Sequence, residues 1–458
     1  MAITGFPKAF GVWYKNFERW DVSFFRQISW HWAKECIVPL GKVLRRKKVE
    51  VGQVKDITEV PIIEKISFGG IISLTDVDER KGYKGRLFWA YKNDLIYSKI
   101  RVKQGSMAIV PDRIEKLAVS AEYPVYSVKS NADTKYLELA LRSKPFLGLL
   151  DGLAHGGSTK TRIPPEDFER LEIPLPPLEV QRAIVARWQA AQESARQAEE
   201  QVYKLESGVP RSVLETLGIP FYENKTLPKV FACSWSSLEN WGVGYTSRAI
   251  SSSKDLHESK FPLKQLGDIA RVSYGIQKSP ANRPGKNARP YLRVANVQKG
   301  GLNLSEIKYI EVADTEMESL RLQRGDLLVC EGNSADLVGR PAIWNDEIPN
   351  CVHQNHILKV RVNLSDAIPE FVLEYMQTLP ARTYFRGRAK FTTNLASINS
   401  NDLRELPVPL PPLEVQHSIL ERVHASRAEI ARQGERAAQI RKDAEAEVET
   451  LILGTKKL

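Results

Sequence analysis

Pro174-Leu-Pro-Pro-Leu-Glu-Val-Gln181 recurs without change as Pro409-Leu-Pro-Pro-Leu-Glu-Val-Gln416, 235 positions later. Eight identities in register at an interval of about half the chain are the mark of a duplicated unit. The match continues at the same offset. Ile163, Asp167 and Leu171 meet Ile398, Asp402 and Leu406 upstream, and Ile184, Arg187 and Leu205 meet Ile419, Arg422 and Ile440 downstream. Fainter echoes keep their order: Glu18-Arg-Trp-Asp-Val22 with Glu239-Asn-Trp-Gly-Val243, Pro39-Leu40 with Pro262-Leu263, Asn93-Asp-Leu95 with Gly325-Asp-Leu327, and Ala108-Ile109 with Ala342-Ile343.

In each half a variable stretch leads to a Pro-Pro hinge and then to a helix. Proline suits a first helical turn, where its missing N–H would have no partner. Val180, Ile184, Trp188, Ala191, Ala195, Ala198, Val202 and Leu205 fall at three-four spacing, and charged or amide side chains fill the positions between them. This leaves one apolar seam that must pack on another helix. Val415, Ile419, Val423, Ile430, Ala437, Ile440, Ala444, Val448 and Leu451 form the matching seam, so the two helices are expected to pair antiparallel. Ser207-Gly208-Val209-Pro210 predicts the end of the first helix, which at 1.5 Å per residue makes it about 42 Å long.

The variable stretches read as mixed, sheet-rich domains. β-Branched or alternating runs lie at 62–67, 95–102, 108–110, 123–128, 291–297, 326–329 and 357–362, with short helices at 135–141 and 369–377. The fold class is therefore α+β, with a pseudo-twofold internal repeat. Two sheet-rich domains, 1–173 and 236–407, are expected to be separated by long paired helices in 174–218 and 408–458, with a linker at 219–235.

The chain has 458 residues, too many for one ordinary domain, and 42% are hydrophobic, as in a globular protein. No apolar run reaches the length of a membrane span. Residues 1–10 lack the charged-then-apolar pattern of a secretion signal, and the four cysteines are isolated, so a reducing cytoplasm is the expected location. A net charge of +11 favours polyanionic partners.

Basic side chains in Gly-, Ser-, Thr- and Asn-bearing loops supply what duplex DNA requires, cations for phosphates and paired hydrogen bonds for base edges. In the first half the candidates are Lys81, Lys84, Arg86, Ser98, Lys99, Arg101, Ser158, Thr159, Lys160 and Arg162. In the second they are Tyr274, Gln277, Lys278, Asn282, Arg283, Asn333, Arg386, Arg388, Lys390, Thr392 and Asn394. The loops before Ile163 and Ile398 hold equivalent places yet differ in sequence, as expected of one scaffold carrying two unlike readers.

No catalytic motif stands out. There is no phosphate-binding G-x-x-x-x-G-K-[ST], no dinucleotide G-x-G-x-x-G after a strand, and no Asn-Pro-Pro-aromatic motif of adenine methylation. Pro111-Asp112 and Glu115-Lys116 are too compressed for a nuclease centre. Cys351, His353 and His356 lack a second ligand cluster, and His155 lacks a nucleophile, so no catalytic or metal site is assigned.

The paired Pro-Leu-Pro-Pro-Leu-Glu-Val-Gln segments, each opening a helix behind a variable domain, resemble the specificity subunit of type I restriction-modification systems. Ser98-Lys-Ile-Arg101, Gly325-Asp-Leu327 and Tyr274-Gly-Ile-Gln277 add weaker likeness. The resemblance spans essentially the whole chain. It implies a non-catalytic subunit whose two target-recognition domains each read one half of a split, asymmetric DNA sequence while the helices fix the gap. It also implies two methyltransferase subunits and, in the full assembly, restriction subunits as partners. S-adenosylmethionine, ATP and Mg would be used by those partners, with no cofactor bound by this chain. Two other readings share the composition: a helical adaptor for RNA or another polyanion, and a nuclease or methyltransferase with hidden catalytic groups.

Overall fold

The computed structural model describes residues 30–52, 57–80, 85–152, 162–221, 258–298, 301–334, 337–391 and 395–458. The chain forms two compact units, Met1–Gln197 with Arg436–Leu458, and Ala198–Glu435. The echo of Glu18–Val22 with Glu239–Val243 lies outside the described residues.

Both units are built on one sheet plan. In the first unit, Leu44–Lys47, Val125–Val128, Leu95–Tyr97 and Met107–Ile109 lie side by side in that order, all antiparallel. In the second, Ala270–Ser273, Ile357–Val362, Leu327–Cys330 and Pro341–Ile343 repeat the order and the direction. The register repeats as well. Leu95 faces Ile109 and Ile96 faces Ala108, just as Leu327 faces Ile343 and Leu328 faces Ala342. This accounts for the Asn-Asp-Leu/Gly-Asp-Leu and Ala-Ile echoes. Asn93 and Gly325 both take positive φ, 65° and 88°, and the following aspartates accept the N–H groups of Tyr91 and Gln323 at 2.9 and 2.7 Å, closing the same turn.

Leu95–Tyr97 and Leu327–Cys330 are apolar at every position because both of their faces are covered. Successive side chains of a strand point to opposite faces. Leu95 and Tyr97 enter one core with Val43, Phe146 and Phe168, while Ile96 enters another with Ile66, Ala90 and Val119. In the second unit, Leu327 and Val329 join the large core and Leu328 and Cys330 the smaller one around Trp344. Tyr97 stacks on Phe168 with ring centroids 4.2 Å apart.

A short antiparallel ribbon leads into each long helix. Ile37–Pro39 pairs with Glu172–Pro174, and Leu263–Gln265 pairs with Pro407–Pro409. Their register equates Ile37 with Leu263 and Leu40 with Leu266. The Pro39-Leu40/Pro262-Leu263 echo is therefore three residues out of step. It follows a chance dipeptide, whereas the true equivalence lies in Leu40 and Leu266, each fully buried at the start of a one-turn helix.

The first long helix is Leu178–Leu217, forty residues, and the second is Leu413–Leu453. The expected stop at Ser207–Pro210 is thus corrected, for the helix runs through Pro210. An interior proline costs about 3 kcal/mol. Val209 just before it and Val213, Leu214 and Leu217 beyond it are buried in the second unit's core, at roughly 1.5–3 kcal/mol for each such side chain, so packing overrides the break. The helix ends at Gly218, with φ 74°, where Gly218 and Ile219 donate to the carbonyls of Glu215 and Leu214. This pair of bonds is a glycine C-cap of the Schellman type.

In each unit the two long helices pair antiparallel. In the first, Ile184 and Val185 pack with Val448, Leu451 and Ile452, and Arg187 meets Glu447 at 2.8 Å. In the second, Val213, Leu214 and Leu217 share a core with Ile419, Leu420 and Val423, and Arg422 donates to Thr216 Oγ1 at 2.7 Å. Of the expected seam, Ile184, Ala195, Ile419, Val423, Ala437 and Val448 are buried. Val180, Trp188, Val202, Leu205, Val415, Ile430 and Ile440 are half-buried, with Val180 and Trp188 against the first unit's helix cluster and Val415 and Ile430 against the second unit's core. No described helix is long and apolar enough to cross a membrane.

Candidate nucleic-acid interface

In the first unit the turn after Leu95–Tyr97 carries Ser98 to Arg101. Ser98 is buried. Its N–H donates to the Ser106 carbonyl at 2.9 Å and its Oγ accepts the Arg101 N–H at 3.3 Å, so it holds the turn. A serine that stands beside basic residues in sequence is here bonded to the backbone. Lys99 is half-buried, with Nζ donating to the Ala121 carbonyl at 2.6 Å and its own carbonyl accepting the Ile163 N–H at 2.9 Å. Arg162 is exposed and ion-paired with Glu122, whose carbonyl accepts the Lys99 N–H at 3.1 Å. Lys99, Glu122 and Arg162, scattered over more than sixty positions of sequence, thus converge beside one end of the sheet's inner strands. Arg101 and Arg86 are exposed. Arg101 lies close enough to Tyr123 to oppose the upward shift that burial imposes on that phenol. Lys81, Lys84, Ser158, Thr159 and Lys160 lie outside the described residues.

In the second unit Tyr274 is 44% exposed, and its hydroxyl accepts the Ser400 N–H at 3.2 Å, tying the end of one strand to the turn before the second hinge. Gly275 is required here, since a Cβ would stand 2.0 Å from the His353 carbonyl, the group that accepts the Ile276 N–H at 2.8 Å. Gln277, Lys278 and Arg283 are exposed on the following loop, and Asn282 is bonded to Ser279 through its side chain. The loop is pinned from a distance. The Glu311 carboxylate accepts the N–H groups of Gly285 at 2.8 Å and Asn287 at 2.9 Å. Sequence reading missed Glu311, because a carboxylate that serves two backbone donors some twenty-five residues away leaves no local pattern.

Asn333 and Lys390 come together on one small sheet, in which Ala396–Ser397 pairs with Gly332–Asn333 on one side and Lys390–Phe391 on the other. Lys390 is exposed, while the half-buried Asn333 accepts the Ser334 N–H at 2.9 Å through Oδ1. Arg386 is exposed. Arg388 is half-buried over the Tyr384 ring and pairs with Glu405 at 3.3 Å, so part of its charge is already balanced. Thr392 and Asn394 lie outside the described residues.

Cys351 and His353 are buried and His356 is exposed, with its Nδ1 2.7 Å from the Glu331 carboxylate. Burial pushes the Cys351 thiol up to about 12 and, with help from the nearby Lys359 cation, holds His353 down to about 4. Lys359 itself is buried, its ammonium donating to the Ser319 carbonyl at 2.6 Å, and burial lowers it to about 8. His155 lies outside the described residues.

The arrangement offers cationic and amide groups on exposed loops of two units with one scaffold. Against known proteins, the family described as "Type I restriction modification DNA specificity domain" matches residues 46–202 and 258–441, most of the chain. A putative type I restriction enzyme MjaX specificity subunit of Methanocaldococcus jannaschii is 27% identical over 158 residues, 34% of this chain and 37% of that protein. The type I restriction enzyme EcoKI specificity subunit of Escherichia coli is 24% identical over 272 residues, 58% of this chain and 53% of that protein. The chain thus spans about half the length, or less, of these curated relatives. Among solved structures, a chain from a type I R-M system is similar with a TM-score of 0.56 at 17% identity, over 91% of this chain and 97% of its own, which speaks to the fold. Two matched regions that coincide with two like-folded units, covering most of the sequence, place this chain in the family of type I restriction-modification DNA specificity proteins.

Proposed function

We propose that this chain is the DNA sequence-recognition subunit of a type I restriction-modification complex. Each unit reads one half of a bipartite, asymmetric site, and the paired helices set the gap and dock two methyltransferase subunits. Restriction subunits complete the assembly. Adenine methylation from S-adenosylmethionine, and ATP- and Mg-dependent cleavage, belong to those partners, and this chain supplies no catalytic group and binds no cofactor of its own.

The observation that carries the reading is a repeated scaffold with unlike loops. The sheet order, strand register and helix starts are the same in both units, whereas Lys99, Arg101 and Arg162 in one have no sequence counterpart among Lys278, Arg283 and Lys390 in the other. Contacts to phosphates position a protein and contacts to base edges specify a sequence. A common frame with divergent loops provides for both, and the charge of +11 supports a duplex partner. The test exchanges residues 42–162 for the equivalent part of a related protein and reads the methylated motifs of a host genome by single-molecule sequencing. One half-sequence should change while the other half and the gap remain. A change in both halves, or in neither, contradicts the reading.

A further inference from the structure

The repeated octapeptide ends in glutamine, and helix initiation does not require that residue. Gln181 and Gln416 are both fully buried one turn into the long helices. Gln181 Oε1 accepts the Asp133 N–H at 2.8 Å, while Nε2 donates to the carbonyls of Pro176 at 2.7 Å and Asn131 at 3.4 Å. Gln416 Oε1 accepts the Ile368 N–H at 2.8 Å, while Nε2 donates to Pro411 at 2.9 Å and Asp366 at 3.2 Å. Every partner in one set stands 235 positions from its counterpart in the other. Two of the three pairs differ in residue type, Asn131 against Asp366 and Asp133 against Ile368. The glutamine therefore reads backbone only, and its grip tolerates side-chain changes at these positions so long as 133 and 368 keep an N–H.

Each glutamine spans two parts of its unit. One is the Pro-Pro turn that opens the long helix. The other is the start of the short helix, Thr134–Arg142 or Pro369–Met376, that packs on the recognition sheet's core. The other side of the joint is held by backbone bonds that also repeat: Leu175 to the Cys36 carbonyl and Leu410 to Pro262, then Leu40 to Leu171 and Leu266 to Leu406. Only a side chain with one acceptor and two donors at this length meets the demand. Glutamate lacks the donors, asparagine is one methylene short, and leucine offers neither.

We infer that Gln181 and Gln416 are positioning residues that lock the recognition sheet of each unit to the long helices, and that this lock sets how strictly the chain measures the distance between its two half-sequences. The inference rests on the bipartite reading proposed above. Stiffness at the two joints is what converts helix length into gap length, since a sheet free to tilt on its helix would meet its half-sequence at neighbouring gaps too. The glutamines touch no exposed loop residue named above, so the half-sequences themselves stay as they are.

The test co-expresses the full chain with its methyltransferase partner in a host without the system and maps methylated motifs genome-wide. Wild type, Gln181→Leu with Gln416→Leu, and the milder Gln181→Leu and Gln416→Leu single variants are compared, with thermal unfolding of each purified complex as the folding control. The expected result is one gap for wild type. In the double variant both half-sequences are unchanged but methylated at gaps one base pair shorter and longer, with discrimination between gaps reduced about tenfold. The single variants, which leave one joint intact, should show a smaller widening and stand in if the double variant does not fold. Folded variants that methylate only the native gap overturn the lock. A wild type that methylates no bipartite motif overturns the bipartite reading itself, and the joint's role with it.

Discussion

His353 shows how burial tunes a single side chain of the second unit. Its Nδ1 bonds the Ile357 carbonyl at 2.9 Å, so that nitrogen carries the proton, and its buried Nε2 has no hydrogen-bond partner among the described residues. Burial, reinforced by the Lys359 cation, holds the imidazole neutral, at about 4 against an ordinary 6.5. The unfolded chain therefore takes up a proton below pH 6.5 that the folded chain refuses until about pH 4, and stability falls as pH drops through that window. By pH 5 the loss is about 2 kcal/mol. Thermal scans from pH 7.5 to 4.5 should show a steeper fall in the unfolding midpoint for wild type than for His353→Gln. Equal slopes would show that the imidazole gains its proton without cost in the fold.

Among the elements, the first long helix is where sequence and structure part. Gly208 and Pro210 together are a standard stop signal, and locally they remain one. The burial of Val209, Val213, Leu214 and Leu217 in the second unit's core outweighs it, and that burial depends on strands more than a hundred residues away, which no window of sequence displays. The true end, Leu217-Gly218-Ile219, does carry a local signal, since glycine there takes the left-handed conformation. If Pro210 is a tolerated defect, Pro210→Ala should raise the thermal midpoint of the chain by removing a cost of up to about 3 kcal/mol, with a small gain in helical circular dichroism. A lower midpoint would mean that the proline shapes a bend the core requires. The strands, short helices and hinges were legible because their periods are local. So was the pairing of the helices, since a duplicated apolar seam needs a mate. Interface residues were only partly legible. Residue type marks Lys390 and Arg283 as exposed cations, but it cannot reveal that Ser98 turns inward, that Arg388 already has Glu405, or that Glu311 pins a loop it is far from in sequence.

For the molecule as a whole, the two units share a sheet plan, a hinge and a glutamine joint, and the two long helices run through both. On the proposed reading, a duplicated frame held by backbone hydrogen bonds and apolar packing lets one half-reader change without disturbing the other. The helices pass from one unit to the other near Ala198 and Ala437. On the reading proposed above, their length is the quantity that the gap follows. The most direct measurement inserts four helical residues after Ala198 and four after Ala437, about 6 Å in each helix, and reads the methylated motif by single-molecule sequencing. The same two half-sequences separated by a gap about two base pairs longer is the predicted result, at roughly 3.4 Å of duplex per base pair. An altered half-sequence with the gap unchanged would contradict it.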